Sequence, residues 1–87
     1  MRNILFTPNG WEDYLFWQKN DKKKLRRTND LIRDISRGPF SGVGKPEPLK
    51  WDLEGCWSRR IDPEHRLVYK IVNDNIHILA CRYHYGT

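Results

Sequence analysis

The spacing of apolar side chains in the first half of the chain predicts a short strand followed by two helices. The β-prone residues 3–6 predict the strand. Thr7 and Pro8 are typical of a helix start, since threonine caps a helix and proline at its first position loses no hydrogen bond. The first helix is expected over about residues 8–19. Its apolar face is predicted to contain Trp11, Tyr14, Leu15 and Gln18, widened by Phe16 and Trp17.

The second helix is expected over about residues 21–36, where Gly38 and Pro39 end it. The side chains predicted to face the core are Leu25, Thr28, Leu31, Ile32 and Ile35. The opposite face is basic and carries Lys22, Lys23, Lys24, Arg26, Arg27 and Arg33. This face is either a solubilising surface or a docking surface for an RNA backbone. Six cations on one short helix exceed what solubility requires, which favours docking.

The second half of the chain changes to the alternation that is typical of strands. Three strands are predicted over about residues 56–61, 66–72 and 76–83, with a shorter strand at 49–50. The polar segments 62–65 and 73–75 contain turn-forming residues, so the three strands form an antiparallel meander. The predicted fold class is α+β, with the order β-α-α-β-β-β. A two-helix hairpin packs on one face of a small, mainly antiparallel sheet, as a single domain over residues 1–87.

Composition narrows the choice of partners. Sixteen Lys and Arg against eleven Asp and Glu give a formal charge of +5. A basic domain of this size favours a polyanionic partner, either nucleic acid, an acidic protein, or both in turn. The two cysteines, Cys56 and Cys81, are expected to be free thiols in the core. No apolar stretch is long enough to span a membrane, so cytoplasm is the expected location and no membrane partner is predicted.

The predicted pairing of the last two strands brings cations together at one end of the sheet. Leu67, Tyr69 and Ile71 suit the face that the helices cover. If residues 73–75 form a three-residue loop, Val72 lies opposite Ile76. The pairs that follow are Lys70 with Ile78, Val68 with Ala80, and Arg66 with Arg82, and His84 lies one step further on the face of Arg66. The alternative is that residues 82–85 are only a solvated chain end.

Glu47 is the carboxylate most restricted by its neighbours. Pro46 and Pro48 flank it and hold this part of the chain extended. It is either a positioned base or one member of an ordinary surface ion pair with Lys45 or Lys50. Of the adjacent Arg59 and Arg60, only one faces the cationic corner, and alternation leaves open which one.

A carboxylate, a histidine and arginines are the groups needed to cleave RNA without a metal. A base removes the proton from a ribose 2′-hydroxyl, an arginine stabilises the charge on the phosphate, and an acid protonates the departing 5′-oxygen. Histidine, with an ordinary pKa near 6.5, can supply that acid. The histidines and cysteines show no metal-ligand spacing, so neither a metal nor another cofactor is expected.

Five segments carry a resemblance to a known family: residues 38–40 (Gly-Pro-Phe), 42–50, 57–61, 64–69 and 80–85. In order and content they resemble the YoeB-type toxins of the RelE superfamily, the ribosome-dependent mRNA interferases of toxin–antitoxin modules. The resemblance implies Glu47 as general base, His84 as general acid, Arg66 as phosphate stabiliser and Tyr85 as an orienting or stacking residue. The cations expected to contact RNA are Lys45, Lys50, Arg59, Arg60, Arg82, Lys22, Lys23 and Arg26.

The resemblance also implies partners. They are mRNA, the ribosome with its RNA near the A site, a cognate acidic antitoxin, and a second copy of the toxin. Two features depart from the family pattern. Gly86 and Thr87 extend the chain beyond the His-Tyr pair, and the resemblance assigns no role to Trp51 and Cys56. Two alternative functions are a gyrase poison of the same superfamily, which acts by binding alone, and a basic nucleic-acid-binding module in which Glu47 is dispensable.

Overall fold

Two helices lie against one face of a five-stranded sheet in the computed structural model, which describes residues 2–83. The elements are β1 (Ile4–Phe6), α1 (Pro8–Asn20), α2 (Lys22–Arg37), β2 (Glu47–Pro48), a 3₁₀ helix (Trp51–Leu53), β3 (Trp57–Arg60), β4 (Arg66–Val72) and β5 (Asn75–Ala80). The strands lie in the order β1-β5-β4-β3-β2. Only β1 pairs in parallel, with β5, so the predicted α+β architecture with a mainly antiparallel sheet is confirmed.

The two helices are joined through a single residue, Asp21. Its backbone N–H donates to Trp17 O at 2.9 Å and closes α1. Its side chain accepts from the backbone N–H groups of Lys23 and Lys24, at 3.1 and 3.2 Å, and caps α2. So short a connection makes the helices a hairpin, as the sequence predicts.

The buried face of α2 agrees with its sequence, whereas that of α1 agrees only in part. Leu31 and Ile35 are fully buried and pack in one cluster with Leu67 of β4. In α1 Trp17 is buried and Tyr14 and Phe16 pack against the core, as predicted. The other buried residues are Gly10 and Asp13, while Trp11 is 46% exposed. The helix crosses β5 so closely that a Cβ at Gly10 would collide with the Ile78 carbonyl oxygen. A small residue therefore faces the sheet where the apolar pattern predicts aromatic side chains.

The β4–β5 hairpin differs from the predicted three-residue loop. Asn73 and Asp74 have φ values of 49° and 65° and form a two-residue turn, so Val72 pairs with Asn75. Asn and Asp tolerate the left-handed conformation that such turns require. The predicted Lys70–Ile78 pair is therefore wrong, because Lys70 pairs with His77.

The predicted pairing of Val68 with Ala80 is nevertheless found. An irregularity between Val68 and Tyr69 adds one residue to β5 and returns the register to the predicted alignment. Leu67 and Tyr69 face the helices, whereas Val68 joins a smaller apolar cluster with Leu49, Cys56 and Ala80. Below, the open face means the sheet face that carries Arg66, Val68 and Lys70.

Cys56 and Cys81 are both buried free thiols, as the sequence predicts. Burial raises the pKa of Cys81 to about 12, and the nearby Asp13 carboxylate contributes. Burial likewise raises the pKa of Cys56. Within residues 2–83 there is no helix with the length and apolar character needed to cross a membrane.

Candidate active site

Glu47 and Arg66 are in direct contact on the open face. Glu47 lies in β2 opposite Ser58 of β3, and Ser58 lies opposite Val68 of β4. Arg66 Nη1 donates to Glu47 Oε1 at 2.7 Å and to Ser58 Oγ at 2.9 Å. The Arg66 side chain is only 8% exposed, whereas that of Glu47 is 51% exposed. The carboxylate and the cation that the sequence singles out therefore form one site at an open edge.

Ser58 is a site residue that the sequence analysis missed. It is fully buried and holds Arg66 Nη1 on the side that faces β3. Ser58 lies two residues before Arg60 on β3, so both face the same side of the sheet, and β3 pairs with the strand that begins at Arg66. This position could have indicated that Ser58 belongs to the site. Among residues 2–83 the Arg66 guanidinium donates only through Nη1.

Arg59, predicted to contact RNA, is instead a structural residue. Its side chain is fully buried, and Nη1 forms an ion pair with Asp34 Oδ2 at 2.6 Å. The guanidinium also donates to three backbone carbonyls and one hydroxyl: Gly38 O, Ser41 O, Val43 O and Tyr69 Oη. Because these partners occupy both terminal nitrogens and Nε, the prediction that Arg59 binds RNA is wrong.

The loop that wraps Arg59 leads directly to Glu47. Asp34 Oδ2 accepts from Val43 N at 3.0 Å, and this bond, followed by the one from Arg59, lowers the Asp34 pKa. Gly42 has a φ of 123°, and a Cβ there would collide with the Asp34 carboxylate. The loop then continues through Gly44, whose carbonyl accepts from Arg60 N at 2.7 Å. Arg59 thus fixes the loop from which Glu47 emerges.

Arg60 is the member of the arginine pair that faces the site. It is exposed and lies directly opposite Arg66 in the β3–β4 register. Lys45 and Lys50 are also exposed, on either side of β2. The predicted docking cations Lys22, Lys23 and Arg26 are exposed on α2. Their contact with RNA stays a prediction.

Arg82 does not stand beside Arg66, so that part of the predicted cationic corner is wrong. β5 ends at Ala80, and Arg66 N donates to Tyr83 O at 2.9 Å. The Arg82 guanidinium instead stacks on the Phe16 ring at 3.5 Å and lies 4.6 Å from the Tyr83 ring centroid. Cation–π contact with α1 therefore holds Arg82 on the helix side. Its contact with RNA also stays a prediction.

The segment that leads to residue 84 is held by hydrogen bonds to its backbone. Cys81 N donates to Asp13 Oδ2 at 3.0 Å, and Trp17 Nε1 donates to Cys81 O at 2.6 Å. Tyr83 N donates to His65 Nδ1 at 2.7 Å, and Tyr83 has a left-handed φ of 68°. Burial raises the pKa of Asp13, and its bond from Cys81 N opposes that rise. The predicted acid His84 and the predicted Tyr85 lie outside the described residues.

Metal ligands do not cluster in the described region. Between residues 2 and 83, no group of three or more His, Cys, Asp or Glu side chains is placed to hold a metal ion. The charged side chains of the site are Glu47 and Arg66, with Arg60 opposite Arg66 in register.

Comparison with known proteins agrees with the fold and with the motifs. The family model described as "YoeB-like toxin of bacterial type II toxin-antitoxin system" matches residues 6–85. A curated relative, Toxin YoeB of Streptomyces coelicolor, is 61% identical over 82 residues, covering 94% of this chain and 98% of the relative.

Solved structures are also similar to this chain, and they include a complex and a dimer. One is a YoeB-YefM complex from Staphylococcus aureus, with a TM-score of 0.89 and 46% identity over 98% of this chain and 99% of that chain. The other is a YoeB dimer from Staphylococcus aureus, with a TM-score of 0.90 and 48% identity over 97% of this chain and 98% of that chain.

Proposed function

The chain belongs to the YoeB-like toxin family of bacterial type II toxin–antitoxin systems, and from that premise we propose that it is a ribosome-dependent endoribonuclease. It cleaves mRNA in the ribosomal A site and so inhibits translation in the cytoplasm. The single observation that carries the proposal is the contact of Glu47 with Arg66, a half-exposed carboxylate joined to a cation at 2.7 Å. These are the two charges that in-line attack on a phosphodiester needs at neighbouring positions.

The proposed reaction begins at the free oxygen of Glu47. Arg66 engages Oε1, which leaves Oε2 to accept the proton of the ribose 2′-hydroxyl. The 2′-oxygen then attacks the adjacent phosphorus while the bond to the 5′-oxygen breaks. His84 gives its proton to that leaving oxygen, and the products are a 2′,3′-cyclic phosphate and a 5′-hydroxyl. Tyr85 orients the substrate beside them.

Arg66 is well placed to stabilise the additional charge on the phosphate. Ser58 and Glu47 hold its Nη1, so the guanidinium needs little reorganisation when the charge develops. Exposed Arg60, Lys45 and Lys50 flank this position and hold the RNA backbone. The basic face of α2, with Lys22, Lys23 and Arg26, docks on ribosomal RNA.

Two protein partners complete the proposal. The formal charge of +5 suits an acidic antitoxin, and a similar toxin has been solved in complex with YefM. A second copy of this chain is the other partner, because a similar toxin has been solved as a dimer.

Cleavage of mRNA on purified ribosomes tests the proposed activity. Glu47→Gln keeps an oxygen for Arg66 but cannot accept the proton, and His84→Ala removes the acid. Each is expected to reduce the single-turnover rate about 100-fold or more. The matched control is Glu12→Gln, which removes an exposed carboxylate on α1 and should cleave at the wild-type rate. The cut is mapped relative to the A-site codon.

Free mRNA provides the second arm of the same experiment. Equal cleavage of free and ribosome-bound mRNA would show that the ribosome is not needed. If Glu47→Gln and His84→Ala both cleave at the wild-type rate, the acid–base assignment is wrong. The gyrase-poison alternative then predicts inhibition of DNA supercoiling, which the same protein preparation can test.

A further inference from the structure

Trp51 is the most exposed large apolar side chain in the described region. Its side chain is 87% exposed, against 55% for Phe40, the next in rank. The residue also has a φ of 59°, a backbone conformation that bulky residues rarely adopt. An indole held in this way contributes nothing to the core and meets a steric cost in the backbone. Strained backbone conformations of this kind cluster at active sites and ligand clamps.

The strand pairing places Trp51 at the end of an arm that begins with Glu47. β2 pairs with β3, and beyond it Leu49 N donates to Cys56 O at 2.9 Å. Leu49 and Cys56 pack on Val68 and Ala80, so apolar contacts hold the arm against the open face. The Cα atoms of Glu47 and Trp51 are four residues apart, which limits their separation to about 14 Å.

Side chains of both charges lie at the tip of this arm, where Asp52 and Glu54 are exposed together with two lysines. Lys50 precedes Trp51 and is exposed. Lys70 is exposed on the open face, four residues along β4 from Arg66, and a Cβ at Gly55 would lie 3.8 Å from Lys70 Cε. The open face therefore carries Arg66 at one end and a lysine pair with an exposed indole at the other.

The tip also forms a small cleft. Its volume is about 260 Å³, and it is lined by Leu49, Lys50, Trp51 and Glu54. A phosphate fits this cleft poorly because the Glu54 carboxylate would repel it. A nucleobase fits better, since it has a flat apolar face for the indole and polar edges for Lys50 and Glu54.

We propose that Trp51 is a stacking platform for one unpaired base of the substrate RNA, a base that flanks the cleaved phosphate. The proposal rests on the proposed endoribonuclease function. The phosphate lies at Arg66 and Glu47, the strand continues over the open face past Lys70, and the stacked base lies on the indole at the tip. Trp51 thereby contributes to substrate positioning and to sequence preference.

The experiment uses ribosomes programmed with mRNAs that carry an abasic site at one nucleotide near the cut. Each mRNA is cleaved by the wild-type protein, by Trp51→Leu, which keeps apolar bulk without an aromatic face, and by Trp51→Tyr. On intact mRNA, Trp51→Leu is expected to lower kcat/KM about tenfold, since stacking on one base is of that order. Trp51→Tyr should stay within about threefold of the wild type, because tyrosine keeps an aromatic face.

The decisive result is coupling between the base and the side chain. At one nucleotide position, removal of the base should lower wild-type cleavage about tenfold and leave Trp51→Leu unchanged. Trp51→Leu should also unfold at the wild-type temperature, because the side chain is 87% exposed. Exposed Leu5, at the opposite edge of the sheet, supplies the control substitution Leu5→Ala, which should show no coupling.

Two results would overturn the inference. One is wild-type cleavage by Trp51→Leu, and the other is a loss in Trp51→Leu that is the same at every abasic position. The second result would assign the indole to a protein partner or to ribosomal RNA rather than to a substrate base. Failure of the proposed function is distinguishable from both, since the wild-type protein would then leave ribosome-bound mRNA intact.

Discussion

Replacing Arg59 by methionine removes the charge on which the loop before Glu47 is built. The side chain is fully buried and bonds to Asp34 and to the carbonyls of Gly38, Ser41 and Val43. Methionine has a similar length but no donor, so the three carbonyls lose their partner. The Tyr69 hydroxyl keeps its bond to Pro39 O at 2.6 Å and is affected least.

The expected loss of stability in Arg59→Met follows from the hydrogen bonds and the ion pair that the substitution removes. The three carbonyls are partly buried, so each one left without its donor costs about 1 kcal/mol, the lower end of the usual range, which gives about 3 kcal/mol in all. Breaking a buried ion pair by removing one partner costs about 3–5 kcal/mol, a figure that already includes such losses. The Asp34 side chain is 25% exposed and can regain water, so the lower end of that range is expected. Small domains have a total stability of only about 5–15 kcal/mol.

Thermal unfolding followed by circular dichroism measures this loss. A cost of 3 kcal/mol lowers Tm by at least about 12 °C in a domain of this size. Arg60→Met is the matched control, because it makes the same change at the exposed neighbour and should shift Tm by less than about 4 °C. The reasoning is refuted if Arg59→Met unfolds within that same interval of the wild type.

Three further outcomes follow from the remaining buried polar groups. The pKa of Asp34 is lowered in the folded protein from its usual value near 3.8. The carboxylate therefore contributes stability above pH 3.8, and this contribution is lost as pH falls through the folded pKa. Asp34→Asn should flatten the fall in Tm on acidification. Asp13→Asn keeps an acceptor for Cys81 N without burying a charge and should be at least as stable as wild type at pH 7, whereas Asp13→Leu should lose about 1–3 kcal/mol in urea unfolding. Cys81 should resist alkylation at pH 8 until denaturant is added, and labelling before unfolding would contradict its burial.

The fold could be predicted from the sequence where local signals agree. The caps at Thr7 and Asp21 and the apolar face of α2 each indicate the same structure as the packing does. The predicted face of α1 is wrong at Trp11, and Gly10 is missed, because the closeness of a helix to a sheet has no local signal. Gly10 and Asp13 face β5, and only the position of the Ile78 carbonyl explains why.

In the site, too, local sequence signals predict some residues and tertiary contacts decide the others. The proline-bracketed Glu47 and the strand-borne Arg66 are recognisable in the sequence, and the structure brings them together. Adjacent arginines carry no signal that separates a buried residue from an exposed one. Arg59 is buried because Asp34 and a loop of carbonyls enclose it, and these partners are distant in sequence. Tertiary contacts therefore decide which of the predicted RNA contacts is available.

The parallel pairing of β1 with β5 has a consequence for biosynthesis. Ile4 lies beside Ile76, and Thr7 N donates to Ile78 O at 3.0 Å. β1 therefore cannot pair until β5 has been synthesised. The segment that carries residues 81–83 is likewise held by Asp13 and His65. Contacts of such long sequence separation form late. A nascent chain cannot complete this sheet until β5 has left the exit tunnel of the ribosome that makes it, and the proposed active site would assemble only after that point.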